Sequence, residues 1–398
     1  MLKGKQIVLG VTGGIAAYKA VELLRLLTKA GAHVHVIMTR AACEFVTPLT
    51  FQTLSMNPVM TSLFNLIAER EIGHISLADR ADLFIIAPAT ANIIGKLAGG
   101  IADDMLTTTV MATKAKVLIA PAMNVNMYTN PVYRDNEERL RRLGYLFVPP
   151  EKGELACGWE GEGKLATPES IFEEAVAALT PKALAGLTVM VTAGPTREEI
   201  DPVRFISNHS SGKMGYALAM AARRRGSRVI LVSGPVALAA PAGVELVSVE
   251  SAAEMRAAVM ARAGDCSVVI KAAAVADYRP IERNGAKIKK QAAELTLQLV
   301  RNPDILAELG RLERRPFLVG FAAETNNLEA MATKKLKEKN LDMIVANDVT
   351  QADAGFNVDT NRAWLLFRDG SRVECPLMSK HELAAVILEH IAAELAKA

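Results

Sequence analysis

Short apolar runs alternate with longer segments of helical spacing along the first half of the chain. Residues 6–11 (QIVLGV) are mainly apolar, and residues 17–29 carry apolar side chains three or four positions apart. Gly31 follows that segment, and residues 34–38 form another apolar run. This order predicts a βαβ unit. Two further buried strands are predicted in DLFIIAPAT and KVLIAPAMN, and their continuous apolar character favours a parallel sheet covered on both faces.

The second half shows the same alternation. The stretch 186–195 (GLTVMVTAGP) predicts a strand, a helix is expected from Met214, and residues 378–398 predict a closing helix. We therefore predict an α/β fold with two Rossmann-like, doubly wound domains, residues 1–185 and residues 186–398. Further strands are predicted in SVVIKAAAVAD, PFLVGFAAET and LDMIVANDV.

Composition narrows the class of protein. The 398 residues carry a net charge of only +3 and 5% aromatic residues, which argues against nucleic acid or an anionic membrane as partner. We find no signal-peptide pattern and no unbroken apolar run of about 18–20 residues. The cysteines form no CxxC pair, so neither a zinc site nor a disulfide framework is indicated, and a reducing cytoplasm is expected. They are Cys43, Cys157, Cys266 and Cys375.

Gly13 and Gly14 lie where the first predicted strand turns into a helix. Such a turn directs backbone N–H groups and the positive end of the helix dipole at an anion, typically a phosphate. The motif is not GxGxxG, so the dinucleotide fingerprint is absent. A tight turn without a ligand is the alternative.

The segment PATAN follows a predicted buried strand. Ligands of α/β sheets bind outside the carboxyl ends of the strands, where small residues admit a flat ring and Thr90 and Asn92 supply hydrogen bonds. Asn124 follows the next strand in the same way. His74 precedes a predicted helix, and a lone histidine is more often structural than catalytic.

Residues 153–166 (GELACGWEGEGKLA) place Cys157 and Trp159 among glycines. Glycine makes a backbone mobile, so this segment predicts a flexible flap with a thiol on it. Packing of the flap by the cysteine is the alternative.

The second half contains a long polar loop, TAGPTREEIDPVRFISNHSSGKMG, before a helix. Asn208 and Lys213 lie at its end, where helix N–H groups and a cation suit a phosphate or acyl phosphate. Asp277 and the nearby lysines suit a metal–triphosphate site. A surface loop and a solvated charged face are the alternatives. The lysines are Lys287, Lys289 and Lys290.

His74, PATAN and PAMNVNMY, in this order, resemble the family of flavin-dependent, homo-oligomeric cysteine decarboxylases across residues 3–179. The resemblance implies that His74 handles the carboxylate and thiol end of the substrate and that Asn124 binds the carboxylate. Tyr128 stands where relatives often carry tryptophan. We further expect Cys157 to be the acid that returns a proton to the substrate carbon. The residues implied to hold FMN are Gly13, Gly14, Thr39, Pro88, Ala89, Thr90, Ala91 and Asn92.

The motifs DPVRFISNHSSGKMG, AAAVADY, KIKK, NPDI and GFAAET together resemble phosphopantothenate–cysteine ligases across residues 187–392. The resemblance implies that Asn208 contacts an activated acyl intermediate and that Mg²⁺ accompanies CTP near Asp277. The residues implied to bind CTP are Lys271, Ala272, Ala273, Asp277, Lys287, Asn302, Pro303, Asp304, Ile305, Phe321, Lys335 and Lys339.

The two halves in one chain resemble the bifunctional coenzyme A biosynthesis proteins. That implies CTP-dependent joining of cysteine to 4′-phosphopantothenate through an acyl-cytidylate, followed by FMN-dependent decarboxylation to 4′-phosphopantetheine. Trimeric flavin domains joined to dimeric ligase domains imply a closed homo-oligomer, a dodecamer. The alternatives are a nicotinamide-dependent oxidoreductase, against which the missing GxGxxG argues, and a non-catalytic flavin-binding protein.

Overall fold

The computed structural model describes residues 2–63, 73–154, 158–289, 295–324, 328–348 and 358–397. The chain divides into two compact units, Met1–Thr180 and Pro181–Ala398. Within the described ranges, no helix is both long enough and apolar enough to cross a bilayer.

The first unit alternates strands and helices as predicted. A single turn of 3₁₀ helix, Arg40–Glu44, follows the second strand. The elements are β1 Gln6–Val11, α1 Ala17–Lys29, β2 His33–Met38, α2 Pro48–Ser55, β3 Val59–Met60, α3 Gly73–Arg80, β4 Leu83–Ala89, α4 Ala91–Gly99, α5 Met105–Ala112, β5 Lys116–Pro121, α6 Val125–Tyr128, α7 Pro131–Arg142, β6 Leu146–Phe147, β7 Glu151–Glu154, β8 Glu160–Lys164 and α8 Pro168–Leu179.

The described strands of this unit form a parallel sheet in the order β3–β2–β1–β4–β5–β6. Successive side chains of a strand point to opposite faces, and Ile7 and Leu9 enter one hydrophobic core while Val8 enters the other. Helices therefore cover both faces. The strand order reverses between β1 and β4, which makes the carboxyl ends of these two strands the expected ligand crevice.

The second unit repeats this architecture. The elements are β9 Thr188–Ala193, β10 Arg197–Asp201, β11 Arg204–Ser207, α9 Lys213–Arg224, β12 Arg228–Ser233, β13 Glu245–Ser248, α10 Ala252–Met260, β14 Val268–Lys271, β15 Tyr278–Pro280, β16 Leu299–Arg301, α11 Ile305–Gly310, β17 Phe317–Glu324, α12 Leu328–Glu338, β18 Met343–Asp348, β19 Thr360–Phe367, β20 Arg372–Ser379 and α13 Lys380–Leu395.

Its described strands pair in the order β13–β12–β9–β14–β17–β18–β19–β20. The first six are parallel, and β19 and β20 extend the sheet as an antiparallel hairpin. Val189 and Val191 enter one core and Met190 the other. The strand order reverses between β9 and β14. Both units thus confirm the predicted doubly wound α/β class.

Three segments differ in detail from the prediction. The polar loop after β9 contains the antiparallel hairpin β10–β11, because its polar residues are buried and bonded rather than solvated. Asp201 is buried and accepts the N–H groups of Val203 and Arg204. The flap is also a hairpin, β7–β8. The last helix begins at Lys380 rather than near 378, because β20 continues to Ser379.

Candidate functional site

The turn after β1 brings the predicted FMN segments of the first unit together. Thr39 N–H donates to the Val11 carbonyl at 3.1 Å, and the Thr39 hydroxyl accepts from Ala42 N–H. A Cβ on Gly13 would lie 2.3 Å from the Cβ of Ala41, so glycine is required there by close packing. On Gly14 it would lie 3.7 Å from Thr90, an ordinary contact.

Thr12 joins this turn to PATAN, and sequence reasoning missed it. Its buried hydroxyl donates to the Pro88 carbonyl at 2.7 Å and accepts from Thr90 N–H at 3.1 Å. A hydroxyl that donates and accepts can fix two backbone segments at once. A buried threonine at the end of a strand, next to two glycines, was the available signal.

The PATAN residues divide between the strand and the helix that follows. Pro88 and Ala89 belong to β4, and the Thr90 hydroxyl caps α4 by accepting from Ile93 N–H. Ala91 begins that helix, and Asn92 is exposed.

Asn124 follows β5, the strand that pairs with β4 in the sheet. Ala122 N–H donates to the Ala89 carbonyl at 3.0 Å, which carries the PAMN segment alongside PATAN. The Asn124 side chain caps α6 by accepting from Asn126 N–H. Tyr128 at the end of α6 is buried, packs against Tyr133 with ring centroids 5.4 Å apart, and thus has a structural place in the core.

The β7–β8 hairpin lies directly on the Asn124 segment. Met123 N–H donates to the Gly163 carbonyl at 3.0 Å. A Cβ on Gly161 would lie 2.7 Å from Val125, and one on Gly163 would lie 2.3 Å from the Met123 carbonyl oxygen. These two glycines permit close packing against the Asn124 segment, a role that the prediction of a mobile flap did not include. Cys157 lies outside the described residues.

His74 lies in the first turn of α3, not before the helix as predicted. Its side chain is half-buried, and the residues just before Gly73 lie outside the described ranges.

The second unit contains a cavity of about 460 Å³ at the carboxyl end of β14 and beside β17 and β18. Of the predicted residues, Asn208, Lys271, Ala272, Ala273, Asp277 and Phe321 line it. Asn208 is held there because its Nδ2 donates to the Val275 carbonyl at 3.0 Å. Gly212 takes a left-handed conformation (φ +74°) just before α9, whose first turn also lines the cavity.

A smaller neighbouring cavity of about 90 Å³ shares Lys271 and Asp277 with the larger one. Asn302 has a structural role beside it, because its side chain donates to the Ala276 carbonyl and its backbone N–H donates to the Asp277 carbonyl. The remaining predicted residues that line it are Pro303, Asp304, Ile305 and Lys339.

Lys271 lines both cavities, and its pKa depends on the charged groups around them. Burial, together with the nearby charge of Lys339, lowers the pKa of Lys271 from 10.5 to about 8. Burial raises the pKa of Asp304, but hydrogen bonds from Lys339 and Ala307 N–H outweigh this effect and leave the pKa below its usual range. The ammonium groups of Lys271 and Lys339 therefore both border the smaller cavity, and that of Lys271 loses its proton more readily than an ordinary lysine does.

Lys287 and Lys335 line neither cavity. The Lys287 segment is nevertheless held in place, because Asp201 accepts from Ile288 N–H at 3.2 Å. Hydrogen bonding from Arg204 lowers the pKa of Asp201, which keeps that anchor ionised. Lys289 is exposed, and Lys290 lies outside the described residues.

Sequence reasoning missed several residues that line the larger cavity, among them Asn347, Asn361 and Lys380. Asn347 Oδ1 is buried and has no hydrogen-bond partner among the described residues. It lies near the carboxyl end of strand β18, as Pro88 and Ala89 lie at the end of β4. The SKHE capping box at the start of α13 predicts a helix but carries no sign that Lys380 is buried.

Comparison with known proteins agrees with the division of the chain into two units, Met1–Thr180 and Pro181–Ala398. Residues 1–180 match the family model described as Flavoprotein, and residues 184–395 match the DNA/pantothenate metabolism flavoprotein C-terminal domain. The coenzyme A biosynthesis bifunctional protein CoaBC of Bacillus subtilis is 53% identical over 397 residues, which are 99% of this chain and 98% of that protein. The Escherichia coli K12 protein of the same name is 50% identical over 395 residues, 98% of this chain and 97% of its own length.

A solved structure, the C-terminal domain of a coenzyme A biosynthesis bifunctional protein CoaBC, is 47% identical. It covers 55% of this chain and 100% of its own, with a TM-score of 0.48. The family-model matches and the full-length relatives together show that the chain belongs to the family of coenzyme A biosynthesis bifunctional proteins, enzymes that join a flavoprotein decarboxylase domain to a ligase domain.

Proposed function

We propose that the second unit joins cysteine to 4′-phosphopantothenate with CTP. The carboxylate oxygen attacks the α-phosphorus of CTP, the bond to the β-phosphate breaks, and pyrophosphate leaves. The amine of cysteine then attacks the acyl carbon of the acyl-cytidylate, and CMP leaves as the amide forms. A carboxylate is a poor electrophile, so this activation is needed before an amide can form.

The observation that carries this proposal is the convergence of the Asn208, Lys271 and Asp277 segments on one cavity at the switch point of the sheet. Ammonium groups and the start of a helix suit phosphate oxygens. Asn208 is the candidate contact for the acyl intermediate. Lys271 and Lys339 line the smaller cavity and would stabilise the negative charge that passes to the leaving pyrophosphate.

We propose Mg²⁺ as a companion of CTP rather than as a resident ion. Within the described ranges, no group of three or more His, Cys, Asp or Glu side chains is arranged to hold a metal. Mg²⁺ in nucleotide sites commonly uses one or two carboxylates and the phosphates themselves. Asp277, which lines both cavities, is the candidate carboxylate.

We propose FMN as the flavin of the first unit. The residues fit its phosphate, because α1 begins after Ala16 with neither a side-chain cap nor an acidic first turn, so its N–H groups suit an anion. Gly14, Thr39 and the Pro88–Asn92 segment would surround the group. Bound FMN supplies oxidation and re-reduction of the carbon that bears the thiol, which makes loss of CO₂ possible.

The chain's own residues would then position the substrate. Asn124 and His74 would bind the carboxylate end, and the hairpin resting on Met123 would exclude water. Cys157 would deliver the proton that the carbon requires. We also propose a cytoplasmic homo-oligomer.

The purified chain, given 4′-phosphopantothenate, cysteine, CTP and Mg²⁺, is expected to release pyrophosphate, CMP and CO₂ and to form 4′-phosphopantetheine. A fragment of residues 1–185 is expected to carry FMN and to decarboxylate the ligated product without CTP. Lys287→Gln is expected to slow ligation at limiting CTP and to leave decarboxylation unchanged. A colourless, folded fragment that cannot take up FMN would contradict the flavin assignment.

A further inference from the structure

Asp201 is a buried carboxylate to which the proposed ligation assigns no task. It ends β10, and its side chain has no solvent exposure. An aspartate is rarely buried unless its oxygen atoms are bonded. The two oxygens of Asp201 bond to different parts of the chain, so the residue has two separable roles.

The Oδ1 atom forms the turn of the β10–β11 hairpin. It accepts the backbone N–H groups of Val203 and Arg204, each at 2.9 Å. Aspartate commonly bonds backbone N–H groups two or three residues ahead in this way. This half of the side chain therefore has an ordinary structural role.

The Oδ2 atom is bonded to a segment 87 residues away. It accepts from Arg204 Nε at 2.9 Å and from Ile288 N–H at 3.2 Å. The Arg204 Nη2 group, which also donates to Oδ2, donates to the Ile288 carbonyl at 3.1 Å. The Asp201–Arg204 pair thus satisfies both backbone polar groups of Ile288, as a neighbouring strand would.

Ile288 belongs to residues 281–289, which we call the Lys287 segment. All of these residues are exposed except Ile288, which is half-buried. The segment also contacts β10 through Asn284 N–H, which donates to the Ile200 carbonyl at 3.0 Å. The side chain next to Lys287 therefore adds little burial, and the bonds to Asp201 and Arg204 fix the backbone there.

The hairpin also leads to the cavity. Its strand β11 begins at Arg204, and Asn208, which directly follows that strand, lines the larger cavity and donates to the Val275 carbonyl. We propose that Asp201 is a positioning residue of the ligase that holds Lys287 in a fixed place relative to Asn208. The inference rests on the proposed CTP-dependent ligation, with Lys287 as a contact of CTP, and adds the group that orders this lysine.

A fixed backbone improves binding because less freedom is lost when the lysine meets the triphosphate. The hydrogen bonds from Arg204 and from the backbone N–H groups outweigh burial and hold the pKa of Asp201 well below its usual range. The carboxylate therefore stays ionised at neutral pH and continues to accept from Ile288 N–H.

Asp201→Asn separates the two roles. Asparagine has one side-chain oxygen, so it can accept the turn N–H groups but then presents an NH2 group to Arg204 and Ile288 N–H. In ligation by the full chain, the KM for CTP is expected to rise about tenfold, the effect of losing one charge-assisted contact. The KM for cysteine and the rate of decarboxylation are expected to stay unchanged.

A double variant distinguishes positioning from general damage to the fold. If Asp201 acts through Lys287, adding Asp201→Asn to Lys287→Gln should change the KM for CTP by less than about twofold. A merely structural role would raise the KM by the same factor whether or not Lys287 is present.

Two matched controls test other contacts of the Lys287 segment. Glu199 on β10 pairs with Arg283 of this segment at 2.5 Å, but both side chains are partly exposed, so the pair contributes little. Glu199→Gln should therefore leave the KM for CTP unchanged. Ile288→Val should do the same, because the bonds from Asp201 and Arg204 go to the backbone of Ile288.

Ile288→Pro tests the same contact from the other side. It removes the N–H group that donates to Asp201 and leaves the Asp201–Arg204 pair in place. It should reproduce the rise in KM seen with Asp201→Asn. If Asp201→Asn does not fold, Ile288→Pro combined with Lys287→Gln decides the question by the same criterion.

Three results would overturn the role of Asp201. They are an unchanged KM for CTP in Asp201→Asn, an equal rise with and without Lys287, and an unchanged KM in Lys287→Gln alone, which would leave no contact to position. Absence of CTP-dependent ligation in the unmodified chain would overturn the proposed reaction instead, so the two failures are distinguishable.

Discussion

The ammonium group of Lys271 illustrates how burial adjusts a single residue. It ends β14 at the switch point and borders both cavities of the second unit. Its pKa of about 8 results from burial and from Lys339, against the opposing influence of Asp304 and Asp277. In the free chain it is therefore charged at neutral pH and loses its proton within an accessible range.

Lys271 is expected to make ligation depend on pH. Below pH 8 its ammonium group attracts the triphosphate, and as the pH rises through about 8 the free chain loses that charge, so kcat/KM for CTP falls. Lys271→Met is expected to lower this value about tenfold at pH 7 and to abolish its decline. Lys271→Arg, which stays charged, is expected to keep the value high across the range. The same decline in all three proteins would contradict the assignment.

Cys157 is expected to act in decarboxylation as a proton donor. A thiol with a pKa of about 8.5 holds its proton near neutrality and can release it, whereas a serine hydroxyl is a far weaker acid. Cys157→Ser is therefore expected to release CO₂ but to accumulate an unsaturated thiol, which mass spectrometry distinguishes from 4′-phosphopantetheine. A normal yield of 4′-phosphopantetheine would assign the cysteine to packing.

At the scale of elements, the β7–β8 hairpin depends on two glycines that have no room for a side chain. Gly163 has a positive φ of +135° and lies against the Met123 carbonyl, and Gly161 lies against Val125. The hairpin is thereby seated on the segment that carries Asn124. Glycine here serves close approach, which is a different physical reason from flexibility.

Gly163→Ala is expected to displace this hairpin. The added Cβ would lie 2.3 Å from a carbonyl oxygen and would require a strained backbone, so decarboxylation should fall more than tenfold at a cost of roughly 1–3 kcal/mol of stability. Flavin content and ligation should be retained. Gly153→Ala, whose Cβ would meet only Lys164 at 3.7 Å, is the matched control. Equal activity of the two variants would contradict the role of the hairpin.

The turn after β1 allows a similar comparison. Gly13→Ala would place a Cβ 2.3 Å from Ala41 and is expected to push the turn away from the Thr39 segment, with loss of most copurified flavin. In Gly14→Ala the added Cβ makes only an ordinary contact with Thr90, so this variant should retain more flavin than Gly13→Ala does. Absorbance of the purified proteins near the flavin bands measures the difference. Full flavin content in Gly13→Ala would show that the turn does not determine binding.

At the scale of the whole molecule, two units with the same strand order carry different chemistry. Each unit also exposes apolar side chains, including Ile15, Tyr18 and Leu49 in the first and Val203 and Phe205 in the second.

The chain is expected to form a closed oligomer larger than a dimer. If the first unit associates as a trimer and the second as a dimer, the two symmetries combined in one chain generate a dodecamer. Light scattering at micromolar concentration measures the mass, and residues 1–185 alone should give a trimer. A monomeric or dimeric mass for the full chain would contradict this arrangement.

The sequence by itself determined the fold class, and it named candidate residues whose roles stay predictions. Apolar runs such as 83–89 and 188–193 have to be buried on both faces, which leaves a parallel sheet with helices on each side. Small and polar residues directly after those strands then have to lie at one edge of the sheet. This reasoning is local, and it correctly placed PATAN and Asn124 at the ends of β4 and β5, while their roles stay predictions.

Only the tertiary structure revealed the features that depend on contacts between residues far apart in the sequence. Thr12 fixes two segments 76 and 78 residues away, and Asp201 is bonded to a loop 87 residues away, so polarity along the chain misled the prediction of the β10–β11 region. The glycines of the β7–β8 hairpin are needed because Met123 and Val125 lie so close to them. Lys380 is buried because its helix begins at the larger cavity. Burial and close approach depend on partners distant in sequence, and no local pattern encodes them.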